Sequence, residues 1–470
     1  MHVKPTSSES ISAPAQGKGK LLRILGVGFG IAVIVGDTIG SGILRTPGEV
    51  AGHLGSYGWV IAIWILGGVY ALFCTLSVTE LGTMLPFAGG WYVYSRRAMG
   101  DFGGFVVGCC DWVMQTVTTA YLAVAFGEFA VALQPAFRGH IKLLAVGLLL
   151  ALMLLNWLGL RMGSRTQKIA SLTKAVALIG FVIACFVAGP GTAHADPAPA
   201  HIAGMRGGML LAVVMALQAV IVTYDGWYGA IYFTEETENP ARDLPRSSIG
   251  GVLVCVAIFL LVNGALFHVL HMSQLASSQM PVAEAATVVF GSRGRQLILL
   301  ISLLAALSTI NATLLITPRI LFAMARDGMM PQSIARVNAG GTPASALLVG
   351  TLVAIVLALS GSFETLIAIC SILFVVVYLS GFVSLFLLRR REPALERPFK
   401  LSGYPWSNLG VAVASAAFLG AAIVADLKDA LFMLVLIALT VLGYFLFVPR
   451  SRRSLTPVPE VMPAASDLDG

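Results

Sequence analysis

Twelve apolar runs, each near the length that crosses a lipid bilayer, recur between Leu25 and Val448 and leave no polar block large enough to fold separately. A helix needs roughly 20 mainly apolar residues to cross about 30 Å of hydrocarbon. On that rule spans are predicted near 25–52, 57–84, 103–133, 141–160, 168–189, 208–236, 248–271, 296–323, 343–360, 364–388, 407–425 and 429–448. Charged residues make up 11% of the 470, against roughly 25% in an ordinary soluble domain, and the mean hydropathy is +0.87. Backbone in lipid must satisfy its own hydrogen bonds, so the expected fold class is an all-α membrane protein.

The ends differ from the middle. Residues 1–20 and 450–470 are rich in Ser, Pro and charged or small residues, and both are expected to be disordered tails. The first apolar run follows the N-terminal tail without a small-residue cleavage site, so it is expected to be retained as a helix. The six cysteines fall inside predicted spans, where a thiol behaves as a small apolar group, so a disulfide-linked heavy subunit is not expected. His268 and His271 have helical spacing but no third ligand near them in sequence, and no metal or cofactor is expected.

The formal net charge of +7 comes from Lys and Arg in short loops, which is a topology signal and not a nucleic-acid footprint. One set of loops carries Arg96 and Arg97, then Arg161, Arg165 and Lys168, then Arg242 and Arg246, then Arg326 and Arg336, then Arg389 to Arg391, Arg397 and Lys400. The alternating loops are poorer. An even number of crossings with both termini cytoplasmic in the inner membrane satisfies every loop.

Two spans are irregular. The first carries Gly36-Asp37-Thr38-Ile39-Gly40-Ser41-Gly42-Ile43 in mid-run, and the sixth carries Thr223-Tyr224-Asp225-Gly226-Trp227-Tyr228-Gly229. Each glycine costs a helix about 1 kcal/mol relative to alanine, and each string places an acid at membrane depth. The glycines could instead serve close helix packing, as Gly36 and Gly40 at GxxxG spacing allow. Paired Gly-interrupted spans in matching positions, at the start of the first five and of the second five, are the pointer to a binding site at an inverted-repeat interface.

Unwinding would expose free N–H groups from Ser41, Gly42 and Ile43 at the positive end of one half-helix, suited to a carboxylate. It would expose carbonyls near Val222 to Tyr224 at the negative end of another, suited to an ammonium. A small molecule with an acid and an amine on neighbouring atoms, an α-amino acid, satisfies both.

The strings GSGI at Gly40–Ile43, TELGTMLPFAGGWYVY at Thr79–Tyr94, YDGW at Tyr224–Trp227 and EETENPARDLP at Glu235–Pro245 resemble the amino acid/polyamine/organocation superfamily, and within it the L-type amino acid transporter branch with its bacterial relatives. The resemblance implies a five-plus-five inverted repeat (about 25–190 and 208–388, within a core of 21–390) followed by two additional helices over 391–449. It implies that the substrate carboxylate meets the backbone at Ser41, Gly42 and Ile43, beside Gly40. The amine would meet carbonyls near Thr38, Val222 and Asp225, beside Gly226 and Trp227, and the side chain would face the third, sixth and tenth spans. Lys174 matches a lysine that in this branch stands where related symporters hold sodium, fixing the unwound carbonyls with a hydroxyl from Ser308 or Thr309. A lysine about two turns into its predicted span could also snorkel to the interface.

Three positions depart from the family pattern. Val222 stands where an aromatic gate is common, and Asp37 stands where an uncharged residue is usual. Asp37 could pair with Lys174 or carry a proton. Asp225 could attract a cationic side chain or cap the broken helix. Glu80, Glu235 and Glu236 are expected near span ends, either pairing with loop arginines such as Arg161 or Arg242 in an inner gate or standing as plain interfacial acids. The functional expectation is a secondary transporter of small, neutral L-amino acids working by sodium-independent exchange or facilitated transport. Its alternatives are a proton-coupled symporter and a transporter-fold nutrient sensor without flux. No HExxH or clustered catalytic residues suggest a membrane enzyme.

Overall fold

The computed structural model describes residues 20–188, 208–361, 363–425 and 427–448. The expected tails (Lys20 apart) and the side chain of Cys370 lie outside the described residues. Among the described residues fifteen α-helices and short 3-10 segments make up the fold, and the only β pairing there is an isolated Leu25–Thr237 bridge.

In chain order the helices are α1 (Val27–Thr38), α2 (Gly42–Leu54), α3 (Tyr57–Met84), α4 (Trp91–Leu133), α5 (Ile141–Trp157), α6 (Leu160–Ala188), α7 (Gly208–Thr223) and α8 (Pro240–Val269). There follow α9 (Met272–Ser277), α10 (Pro281–Phe290), α11 (Ser292–Arg326), α12 (Ala344–Ser360), α13 (Phe363–Arg391), α14 (Trp406–Ala425) and α15 (Leu427–Phe447). Twelve spans result when α1 and α2 count as one, when α7 is joined to the 3-10 helix Gly229–Glu236, and when the short α9 and α10 are left out. The protein is an all-α membrane protein. Large apolar side chains such as Leu143, Val187 and Leu210 stand exposed on helix faces turned away from the bundle, as lipid contact requires.

The predicted spans hold, but several ends move. The third begins at Trp91 and not at 103, because α4 runs on through a non-helical break at Gly100. The fifth begins at Leu160 and not at 168, since the preceding helix stops at Trp157 and the chain turns at Gly159. Charged loop residues Arg161, Arg165 and Lys168 are therefore helical. The seventh begins at Pro240: Asn239 caps it by accepting from the Arg242 amide at 3.2 Å, and Pro240 occupies a first-turn position that needs no donor.

The arginine-rich loops gather on one face. Arg96 pairs with Asp327 at 2.8 Å, Arg97 with Glu392 at 2.9 Å, Arg326 with Glu235 at 2.8 Å and Arg389 with Glu80 at 2.6 Å. Glu236 pairs with Arg319 at 2.5 Å deeper in the bundle. These partners replace the expected Arg161 and Arg242: Arg161 points outward, and Arg242 meets its neighbour Asp243 at 2.7 Å. The pairs join span ends far apart in sequence, which loop proximity does not reveal.

Candidate functional site

The first and sixth spans are both broken. Between α1 and α2 the axis bends by 51°. Between α7 and the 3-10 helix the chain turns over Tyr224–Tyr228. The two breaks cross at Gly226, whose φ of +104° favours glycine, and a Cβ there would lie 2.6 Å from the Thr38 amide nitrogen. Gly36 is constrained by packing alone, since a Cβ would press on the side chains of Gln167, Ser171 and Ser308 from neighbouring helices.

Lys174 holds the first break. It is 0% exposed and donates to the Gly36 carbonyl at 2.9 Å and the Ile39 carbonyl at 2.5 Å. Thr309 adds its hydroxyl to the Gly36 carbonyl at 2.9 Å. Because α6 begins at Leu160, Lys174 lies about four turns into it. The snorkelling alternative is thereby overturned. Ser308 is not part of this contact: its hydroxyl meets Ser171 at 3.2 Å, and Ser171 donates to the Ala32 carbonyl at 2.6 Å.

At the start of α2 the amides of Ser41, Gly42 and Ile43 precede the first acceptors of the helix, and no side chain caps them. Gly40, Ser41 and Gly42 line a cavity of about 440 Å³; the Ile43 side chain is buried away from it. Opposite, α7 ends with Thr223, whose hydroxyl lies 2.8 Å from that of Thr46 in α2. Of the carbonyls expected to take an amine, that of Thr38 accepts Gly40 N–H at 3.0 Å and that of Val222 accepts Asp225 N–H at 3.2 Å. Each keeps a second lone pair.

Two acids face the same space. The Asp37 carboxylate has one oxygen, Oδ2, buried without a partner, while the Lys174 ammonium donates to the Gly36 and Ile39 carbonyls. The expected Asp37–Lys174 pair is replaced by the ammonium-to-carbonyl contacts above, because Lys174 reaches the carbonyls on either side of Asp37. Asp225 accepts a hydrogen bond from the Tyr378 hydroxyl. Trp227, 3% exposed, packs against Tyr378 and Tyr228 with ring centroids 5.1 and 5.3 Å apart, and Trp91 closes the aromatic layer. Val222 is 54% exposed and lines the cavity near Phe374 of α13.

Sequence reasoning missed Gln115 and Tyr378. Each is one polar group among several in a mainly apolar span, and only helix packing shows which of them face the cavity. The expected side-chain pocket on the third, sixth and tenth spans corresponds to lining residues from α4, α7 and α13, with Tyr70 of α3 and Ser415 of α14 joining them through a hydroxyl contact of 2.7 Å.

The cavity reaches past Thr46 and Glu49 of α2 and Met215 and Gln218 of α7. These lie on the arginine-poor side. Toward the arginine-rich side it is floored by the aromatic layer and, below that, by the ion pairs. A helical bundle with two spans broken at one central cavity is the architecture of a secondary transporter.

The chain belongs to the amino acid permease family, whose model matches residues 30–459. It is 28% identical over 415 residues to the serine/threonine exchanger SteT of Bacillus subtilis, covering 86% of this chain and 92% of the exchanger. It is 30% identical over 400 residues to the b(0,+)-type amino acid transporter 1 of Mus musculus, covering 81% and 79%. The Asc-type amino acid transporter 1 of the same species is 29% identical over 408 residues, covering 81% and 73%. The protein is an amino acid transporter of this superfamily and not an enzyme.

Proposed function

We propose that the protein exchanges small neutral L-amino acids across the cytoplasmic membrane without sodium, by alternating access, with both termini in the cytoplasm. The observation that carries this reading is the meeting of two opposed half-helix ends in one cavity, with the Lys174 ammonium seated on the carbonyls of the first break. The substrate carboxylate lies against Ser41 and Gly42, and the amine against carbonyls near Thr38 and Val222. Asp225 is already engaged by Tyr378, which favours a structural role over recruitment of a cationic side chain. The name of the Bacillus relative, a serine/threonine exchanger, supports exchange and a small neutral side chain. Two repeats, about 25–190 and 208–388, supply the moving and fixed parts, and the helices over 391–449 flank them.

Purified protein in vesicles tests this reading. Labelled serine should enter vesicles preloaded with unlabelled serine far faster than empty ones, equally well with sodium or choline outside. No flux in either case would refute transport and favour a sensor.

A second reading has its own support in Asp37, which lines the cavity with a buried, unpartnered oxygen. If a proton rides on it, an inside-alkaline gradient accumulates substrate in vesicles, and Asp37→Asn abolishes that accumulation. An unchanged response in the variant would exclude the residue.

A further inference from the structure

α4 and the 3-10 helix Gly229–Glu236 meet in two polar rungs one turn apart. In the upper rung the Gln115 amide donates to the Tyr228 hydroxyl at 3.3 Å, and both residues line the cavity. In the lower rung the Tyr232 hydroxyl donates to Asp111 Oδ1 at 2.8 Å. This lower rung is sealed: Asp111 and Tyr232 are both 0% exposed, and Asp111 Oδ2 has no partner.

No ion pair among the described residues includes Asp111. Of the titratable groups on the surrounding elements, three are engaged with other partners. Arg319 of α11 binds Glu236, Tyr378 of α13 binds Asp225, and Tyr228 takes Gln115. Tyr444 of α15 packs on Phe102 and Phe105, and Cys110 is the buried thiol next to Asp111 on α4. An ionised carboxylate at this depth would keep one hydrogen bond and no counter-ion. Burying an unpaired charge costs several kcal/mol, and a neutral acid avoids that cost.

We propose that Asp111 is a proton-binding site, filled while the arginine-rich face is shut and emptied when the 3-10 helix leaves α4 and water reaches the carboxyl. The inference rests on the alternating-access reading above. Its sign follows from linkage: opening releases a proton, so rising pH favours opening and acid holds the face shut.

Hydrogen exchange of residues 229–236 in the purified full-length protein, corrected for the intrinsic pH dependence of exchange, tests this at about pH 6 and about pH 8. Protection in the wild type should fall several-fold at the higher pH. Asp111→Asn should remove the difference and Asp111→Glu should keep it. Equal protection at both pH values in the wild type would overturn the proposal. So would an Asp111→Asn response that matches the wild type. Counterflow of serine with the same pH on both sides supplies a second readout: its rate should rise with pH in the wild type and stay level in Asp111→Asn, and a wild-type slope in that variant counts against the site. Absence of any flux would refute the transport reading, and the exchange data would still decide on Asp111.

Discussion

Lys174 is the residue on which the first break depends. Its ammonium reaches two carbonyls three positions apart, Gly36 and Ile39, which a regular helix would have bonded to amides further along. Removing it leaves the Ile39 carbonyl without this donor, at about 1–3 kcal/mol for an unsatisfied buried acceptor, and leaves the Gly36 carbonyl with the Thr309 hydroxyl. Lys174→Ala should therefore slow exchange by tenfold or more, on the order of the 1.4 kcal/mol that a factor of ten represents, while the protein still inserts. Counterflow in vesicles measures this, and wild-type rates would contradict it. Gly226 is the matching residue of the second break. Gly226→Ala forces a Cβ against the Thr38 amide at a positive φ, a strain of about 1–3 kcal/mol. A lower melting temperature in detergent together with weakened serine protection is the expected result. The breaks themselves are legible in the sequence as glycine-dense strings in mid-span, and Lys174 is singled out through the family resemblance, with a snorkelling lysine left open. Tyr378, Gln115 and Asp111 are not legible, since a polar residue scattered in a mainly apolar span carries no sign of the cavity or cluster it faces.

The lower halves of the two broken spans act as one element. Ile24 and Leu25 donate to the Glu236 carbonyl at 3.0 and 2.9 Å, and Glu238 donates back to Leu25 at 3.0 Å. Glu236 anchors this strap to α11 through Arg319, whose guanidinium also lies 4.4 Å above the Phe233 ring. With side chains 2% and 0% exposed, the pair is dry, and removing one partner of such a pair costs about 3–5 kcal/mol by leaving a buried charge uncompensated. Glu236→Gln should therefore loosen the strap, and hydrogen exchange at residues 24–30 and 229–236 should rise together. A rise confined to one segment would show that the halves move separately. Hydropathy located these elements and not their fastening. It placed Glu235 and Glu236 near a charged face but could not choose among the arginines, because the choice is made by helix packing across 83 residues in one case and 91 in the other.

At the scale of the molecule, the cavity is open past α2 and α7 and closed toward the arginine-rich face by three successive layers: the aromatic residues around Trp227, the polar rungs on α4, and the ion pairs. Transport requires these layers to part while α2 and α7 close, so a tether across the outermost layer should hold the carrier in the form described. Glu235 and Arg326 are in contact at 2.8 Å across the 3-10 helix and α11, and of the six native cysteines the five whose side chains are described lie within helices, four of them buried. A Glu235→Cys, Arg326→Cys pair joined by a cleavable bis-thiosulfonate as long as the lost ion pair should keep serine binding and lose counterflow. Reduction should restore the flux, and the wild type treated in parallel should be unaffected. On the proposed reading binding needs only the half-helix ends at the cavity, which the tether does not touch, whereas passage needs the strap to swing. Counterflow that persists in the tethered protein would mean that substrate leaves by another route, and that the ion pairs on this face are surface fastenings with no part in the cycle.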